Sequence, residues 1–438
     1  MNIGLIVKEL YISYYAFILT ISMLFMAKTK NNPVPIIDNI EFIGNPFKQI
    51  VVSIPEQSRG VKNQKEDLEF SLKFLYSYNG SKATFNSYRR EIERLLQWSW
   101  NIAKISISEL KRHDIEEYIE FCKMPPKHWI GLKNVARFKS NAGHRVANPE
   151  WKPFVVSVSK TDHKKGLSAE HHDYELSQAA VKAIFTALSS FYEFLIQEGL
   201  TESNPIALIR QKSKFIRKES RPTVRRISTL QWEYVIETAE FMARENPDEH
   251  ERTLFMMNCF FGMYLRISEL AADERSTPMM DDFRKDHDGS WWFHVLGKGN
   301  KNRIITVCDE VLQSLVRYRL SRGLSKLPVP GEYEPLIIKS KGKGPISSTR
   351  HIRRIVQHCF DTAFERMKSH GLQDDAMELK AATVHWLRHT GISEDVKNRP
   401  REHVRDDAGH ASMATTDRYI DSDLRERHLS GKKKKIKE

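Results

Sequence analysis

The sequence predicts a mainly α-helical protein with a small β-sheet, arranged as a helical domain followed by an α+β domain. Three observations lead there. Apolar residues recur at three- and four-residue spacing through most of the chain. Strand character concentrates in WWFHVLGKGNKNRIITV, residues 291–307, where two apolar runs flank a glycine-rich turn. The 438 residues leave room for two or three domains, and a basic stretch with one proline, residues 214–227, separates two helical regions.

The elements follow in order. Residues 10–27 carry no charged side chain, which is long enough to raise a membrane span. They are also rich in Ser, Thr and Tyr, follow the charged pair Lys8-Glu9, and lack a small-x-small cleavage site. Residues 1–27 are therefore expected to be an upstream extension outside the working protein, with Met26 as its natural start. A membrane anchor or a packed helix are the alternatives. Residues 28–62, with Pro33, Pro35, Pro46 and Pro55, read as an extended leader. A helical domain is expected over 63–213. In it, residues 66–76 place Leu68, Leu72 and Leu75 on one face, and residues 83–100 place Phe85, Tyr88, Ile92, Leu95 and Leu96 on another. Residues 108–121 open with Ser108 and Glu109, as a helix start does. Residues 177–197 point Val181, Ile184, Leu188, Phe191 and Leu195 inward, and Asn204-Pro205 reads as a stop. The polar insertion 125–174 sets Trp129 and Trp151 among cations. It reads either as an aromatic, basic DNA-contacting surface or as a plain surface elaboration.

The basic linker 214–227 would neutralise phosphates if it lay along a duplex, and is otherwise a solvated tether. The second domain is expected over 228–428. Its helices are read at 228–244, 249–263, 349–368, 384–396 and 414–421, and its strands at 291–296, 303–307 and 336–338. The basic tail 429–438 is a flexible cationic end.

The chain has 69 Lys and Arg against 56 Asp and Glu, a formal net charge of +13. That excess points to a polyanion, nucleic acid first and an anionic membrane second. Cys122, Cys259, Cys308 and Cys359 are far apart and show no C-x-x-C spacing. They indicate a reducing compartment and neither disulfides nor a zinc site.

The residues that suggest chemistry are Arg266 and Glu269 in GMYLRISEL, His385 and Arg388 in VHWLRHTG, and His410 and Tyr419 in AGHASMATTDRYI. This inventory lacks the carboxylate clusters that hold metals and the Ser-His-Asp set of hydrolases. It supplies cations for a phosphate and a phenol to attack one. A phenol ionises near pH 10, so the phenolate costs about 4 kcal/mol at pH 7 unless neighbours help. Two guanidiniums offer fixed forks of donors to the non-bridging oxygens, and strengthen their hold as charge builds in the transition state. Histidines can bind the phosphate or take the phenolic proton. Lys298, on the hairpin tip, can protonate the leaving 5′-oxygen, and the nearby Lys301 and Arg303 could instead be the cations that touch the substrate. Taken singly, each residue also has a structural explanation. Arg266 and Glu269 can form an i,i+3 ion pair, the histidines can be hydrogen-bonded and partly buried, Lys298 can be solvated, and Tyr419 can simply pack.

In order and spacing, however, residues 230–419 resemble the tyrosine recombinases, or phage integrases. The family's first arginine falls on Arg266, its next acidic position on Glu269, and its hairpin lysine on Lys298. Its H-x-x-R box falls on His385 and Arg388, its later histidine on His410, and its nucleophile on Tyr419, nine residues further on. Two features depart from the pattern. AGH stands where many members have LGH, and a longer loop, AADERSTPMMDDFRKD, leads from Leu270 to the first strand. The resemblance implies a helical core DNA-binding domain over 63–213 and an α+β catalytic domain over 228–428. It implies an integrase of a mobile element that works on double-stranded DNA in the cytoplasm, at the nucleoid. It also implies a 3′-phosphotyrosyl intermediate, no cofactor or metal, self-association into a tetramer, and accessory DNA-bending proteins. The other functions weighed are a type IB topoisomerase, a catalytically silent architectural DNA-binding protein, and a membrane-anchored protein. The LRHTG and GHASMATT wording favours the recombinase.

Overall fold

The computed structural model describes residues 32–44, 59–141, 144–157, 168–212, 215, 225–297, 302–340, 342–419 and 431–432. The expectations for residues 1–27, for most of the linker and for most of the basic tail lie outside the described residues. The fold is mainly α with small sheets, and the chain divides into two compact units, residues 1–220 and 221–438.

In the first unit, helices α1 (Gln64–Tyr76), α2 (Lys82–Trp98), α3 (Arg112–Lys123), α4 (Gln178–Gln197) and α5 (Pro205–Lys212) enclose one core. The periodic residues read from the sequence are its centre: Leu75, Phe85, Ile92, Leu95, Leu96, Ile184, Leu188, Phe191 and Leu195 are each 0% exposed. α3 begins four residues after the expected Ser108, because the Asp114 carboxylate caps it by accepting the Lys111 N–H at 2.7 Å. Asn204-Pro205 opens a helix and does not only stop one. Proline gives up no intrahelical bond at a first turn, and Asn204 Oδ1 accepts the Ile206 and Ala207 N–H groups at 3.1 and 3.3 Å.

The insertion begins and ends in the core. β1 (Ile130–Gly131) pairs in parallel with β4 (Phe154–Val155), and between them runs the antiparallel hairpin of β2 (Phe138–Asn141) and β3 (His144–Ala147). Trp129 and Phe154 are fully buried and Trp151 nearly so. These tryptophans therefore pack the fold and do not present ring faces to bases. From β3, Arg145 grips Asp38 with two bonds of 2.7 and 2.8 Å and fastens the extended segment 32–39 to the domain.

In the second unit, α6 (Thr229–Glu245) starts with a capping box between Ser228 and Gln231. α7 (Pro247–Gly262) follows with proline in its first turn. A sheet of β5 (Phe283–Lys285), β6 (Trp291–Leu296) and β7 (Asn302–Thr306) is antiparallel in that order. Phe293 and Val295 alternate inward from β6, as a half-buried strand requires. α8 (Asp309–Ser321), α9 (Thr349–Ser369), α10 (Gln373–Leu379), α11 (Val384–Asn398), α12 (Arg401–Ala408) and α13 (Met413–Thr416) complete the unit, and a 3₁₀ turn, Asp417–Tyr419, follows. Two expectations change. Residues 336–338 form no strand: isolated bridges stand at Pro335, to Met279, and at Ile338, to Pro345, since proline cannot extend a ladder. Of the helix expected over 414–421, the described part is the short turn Met413–Thr416, which tightens into the 3₁₀ turn Asp417–Tyr419, and residues 420–421 lie outside the described residues.

Candidate active site

The site is built on one face of α11 and on the turn that ends α12. His385, Arg388, His389, Ile392 and Asp395 stand at i, i+3, i+4, i+7 and i+10, so helical geometry stacks them on one side. This face comes close to α7 because Gly391 has no Cβ. A methyl group there would overlap the Phe261 carbonyl oxygen. Beneath the face, Tyr264, Ile392, Val404, Ala408 and Tyr419 form a small apolar cluster.

α7 ends at Gly262, and the chain turns sharply through Tyr264, an aromatic residue at φ 51. That left-handed conformation costs energy for a side chain with a Cβ and persists only where its surroundings fix it. Here the Tyr264 hydroxyl is bonded to the Asp395 carboxylate and accepts from Arg399 at 3.0 Å, while the Tyr264 carbonyl accepts from Arg388 Nη1. Burial, with the Asp395 charge next, pushes the Tyr264 phenol well above its usual range. Two residues on, Arg266 opens the 3₁₀ turn Ile267–Glu269. Glu269 accepts from the Arg266 backbone at 2.7 Å and from its Nη1 at 2.9 Å. Arg303, on β7, adds two further bonds to the same carboxylate, 2.7 and 2.8 Å. Burial alone would raise the Glu269 carboxyl, but Arg303 and then Arg266 outweigh it and hold it below the usual carboxylate range.

Both arginines of the motif converge on the end of α12. Arg388 Nη2 donates to the Ala408 carbonyl at 2.6 Å, and Arg266 Nη2 to the Ala408 and Gly409 carbonyls at 3.5 and 3.3 Å. The last carbonyls of a helix lack intrahelical partners and carry partial negative charge, so cations suit them. Gly409 closes the helix at φ 63, where glycine is favoured, and a Cβ there would meet Arg303 Cδ at 2.9 Å. The turn delivers His410. Its Nε2 stands 3.5 Å from Arg388 Nη2, which can only donate, and its Nδ1 is 3.0 Å from Thr416 Oγ1. His410 therefore carries its proton on Nδ1. Burial, then Arg388 and Arg266, push its pKa down to about 4.

Tyr419 is buried against the same wall. Its ring stacks on His410, 5.6 Å between centroids at 16°, and its hydroxyl lies 2.7 Å from His389 Nδ1. Burial raises the phenol above its ordinary value, although Arg388, Arg266 and Arg418 pull the other way. His385 is exposed and meets the His389 ring edge-on at 4.2 Å. The structure thus brings Arg266, Glu269, Arg388, His410 and Tyr419 together, with His385 joined through His389. Lys298 and Lys301 lie outside the described residues.

No family model matches the chain. Curated relatives do. The tyrosine recombinase XerC of Shewanella sp. (strain W3-18-1) is 26% identical over 271 residues, 61% of this chain and 76% of the relative. The XerC of Leptospira interrogans serogroup Icterohaemorrhagiae serovar copenhageni is 28% identical over 290 residues, 65% of this chain and 78% of the relative. Among solved structures, the XerH site-specific recombinase bound to its palindromic difH substrate, a post-cleavage complex, superposes with a TM-score of 0.51 at 14% identity. That match covers 86% of this chain and 91% of that one, a likeness of fold. The chain is similar in sequence to tyrosine recombinases and shares the fold of one of them.

Several residues outside the family motif hold the site. Arg303, weighed above as a substrate cation, is instead committed to Glu269 and to the Asp407 carbonyl at 3.1 Å. Asp407 accepts from Arg399 at 2.6 Å and from the Thr306 backbone at 3.1 Å, which ties α12 to β7. His389 had one legible signal, its position four residues after His385 on the same helical face.

Proposed function

We propose that this protein is a site-specific DNA recombinase, the integrase of a mobile element, that cuts and rejoins duplex DNA through a 3′-phosphotyrosyl intermediate. The observation that carries this reading is the convergence of Tyr419 with Arg388, Arg266 and His410 on a single turn, from segments more than a hundred residues apart in the chain.

In this reading Tyr419 is the nucleophile and Arg266 and Arg388 bind the non-bridging oxygens of the scissile phosphate. Glu269 fixes the Arg266 fork, since a guanidinium already aligned loses less entropy on meeting its anion. His385 hydrogen-bonds the phosphate, while His410, engaged by Thr416 and Arg388, backs the ring of Tyr419. Burial keeps the phenol protonated until phosphate arrives, which protects a buried nucleophile from idle ionisation. Lys298 protonates the departing 5′-oxygen, with Lys301 as the alternative donor. The covalent tyrosyl phosphate conserves the energy of the broken ester, so a 5′-hydroxyl from another strand reverses the attack without ATP, metal or cofactor.

The helical domain 63–213 and the catalytic domain 228–428 clamp the duplex, with the linker 214–227 along its phosphates. Four copies assemble on two sites, helped by DNA-bending partners, in the cytoplasm at the nucleoid. The test is a denaturant-stable adduct between the full chain and a pool of nicked duplexes of randomised sequence. The wild type forms it, Tyr419→Phe binds the pool equally but forms none, and sequencing the captured DNA returns a site. An adduct on another tyrosine, or one that persists in Tyr419→Phe, overturns the assignment.

A further inference from the structure

We infer that His389 is the catalytic base of strand cleavage: its Nδ1 accepts the phenolic proton of Tyr419 as that oxygen attacks phosphorus. This rests on the recombinase reading above and adds to it the group that activates the nucleophile. The proton passes from the Tyr419 oxygen to Nδ1. The tyrosyl oxygen forms its bond to phosphorus, the bond from phosphorus to the 5′-oxygen breaks, and that oxygen leaves with a proton from the hairpin lysine. Rejoining runs in reverse, and His389 returns its proton to the departing phenolate.

The geometry selects His389 over the other two histidines. Its Nδ1 edge points at the hydroxyl from 2.7 Å, within the reach that proton transfer needs. His410 offers Tyr419 the face of its ring, and both of its nitrogens are engaged, one by Thr416 and one by the donor-only guanidinium of Arg388. His385 touches the ring of His389 edge-on and is itself exposed. The charged and titratable groups facing His389 are His385 and Arg388 from its own helix, His410 from the turn after α12, and Tyr419 itself. Burial, then His385, Arg388 and His410, hold the ring neutral, with its pKa pushed down to about 4, so it stays in the base form at physiological pH. A phosphate between Arg266 and Arg388 would offset the repulsion from Arg388 and raise the basicity of His389 only once substrate is bound.

The experiment measures single-turnover adduct formation by the full chain on the nicked randomised duplex pool, from pH 5 to 9. It compares wild type, His389→Asn and His389→Ala. Asparagine can keep a hydrogen bond to the hydroxyl but cannot take a proton. We expect His389→Asn to be slower by about 100-fold or more, the usual span of a lost general base. Its rate should keep climbing with pH where the wild type has levelled off, and added imidazole should restore part of the rate to His389→Ala. A His389→Asn variant within threefold of wild type with the same pH profile makes His389 a positioning residue and overturns the inference. A faster His389→Ala shows that the contact restrains Tyr419, and overturns it too. A second measurement needs no DNA. Phosphorylation of Tyr419 by diisopropyl fluorophosphate, read by mass spectrometry, should fall in His389→Asn because the same proton must leave as fluoride departs. A fall there, beside a wild type that forms no adduct with any duplex, counts against the recombinase reading alone. No fall there counts against His389.

Discussion

Arg303 lies outside the inventory that suggested the chemistry, yet the structure makes it the clamp of the site. Its guanidinium gives two bonds to Glu269, a side chain only 2% exposed, and a third to the Asp407 carbonyl. Arg303→Ala removes all three and leaves Glu269 with Arg266 as its remaining cation. Breaking a buried pair by deleting one partner costs about 3–5 kcal/mol when the survivor is left uncompensated. Arg266 still supplies a side-chain and a backbone bond, so a smaller loss of about 2–3 kcal/mol is expected, below most of that range. Replacing both partners removes the stranded charge, so Arg303→Met with Glu269→Gln should recover most of it, a positive coupling in a double-mutant cycle. Hydrogen exchange in increasing urea reads the opening free energy of the peptides that carry residues 266 and 410 apart from the rest of the chain. The held carboxylate also gives a sign. Its folded pKa lies below the unfolded value, so its contribution is present above about pH 4.5 and is lost as pH falls through the folded pKa. Adduct formation should fall with Arg303→Ala while DNA affinity holds, because Arg266 and the Ala408–Gly409 turn lose their alignment. A change below about 0.5 kcal/mol, the scatter of neutral surface changes, with unchanged cleavage would refute the clamp.

Gly391→Ala should destabilise the second unit by about 1–3 kcal/mol or more through overpacking against the Phe261 carbonyl, and should lower cleavage because α11 must shift; differential scanning calorimetry and adduct yield check both. His389 and His410 have folded pKa values near 4 against about 6.5 unfolded, so stability is full above pH 6.5 and falls as pH drops towards 4. The slope per ring should lie below about 1.4 kcal/mol per pH unit because both rings are partly open to screening solvent, and urea midpoints at pH 7 and 5 should converge in the doubly substituted His389→Asn, His410→Asn chain. Lys298→Ala should cleave normal DNA very slowly yet cleave DNA with sulfur at the scissile 5′ bridging position well, since a thiolate with a pKa near 8.5 leaves without a proton. Rescue of Lys301→Ala in its place would move the proton donor, and equal rescue of Arg266→Ala or Arg388→Ala would undo the division of labour between acid and oxyanion cations.

What the sequence made legible was local. Helical spacing alone puts His385 and Arg388 on one face, and the apolar periods of residues 83–100 and 177–197 name their own buried residues. The hairpin of residues 291–307 announces itself by alternation around a glycine-rich turn. What stayed hidden depends on partners that distant segments supply. Arg303 meets Glu269 across 34 residues and Asp407 across 104, and nothing in the local wording of either segment marks the pairing. Tyr264 reads as an apolar residue before a helix start. Its left-handed backbone exists only because Asp395 and Arg399 hold its hydroxyl from another helix. The insertion stayed open between two readings for a related reason. Tryptophans among cations look like a nucleic-acid surface, and only the fold shows that Trp129 and Trp151 face inward. These hidden contacts share one consequence for the chemistry. The carbonyls of Ala408 and Gly409 hold both motif arginines in place. A guanidinium carries five donors in a rigid plane, so fixing one edge on a helix end orients the others. The backbone turn thus orients the arginines, and His389 meets the Tyr419 hydroxyl directly. The groups in contact with the motif residues are not themselves named by the motif, and perturbing them should alter cleavage while leaving DNA binding intact.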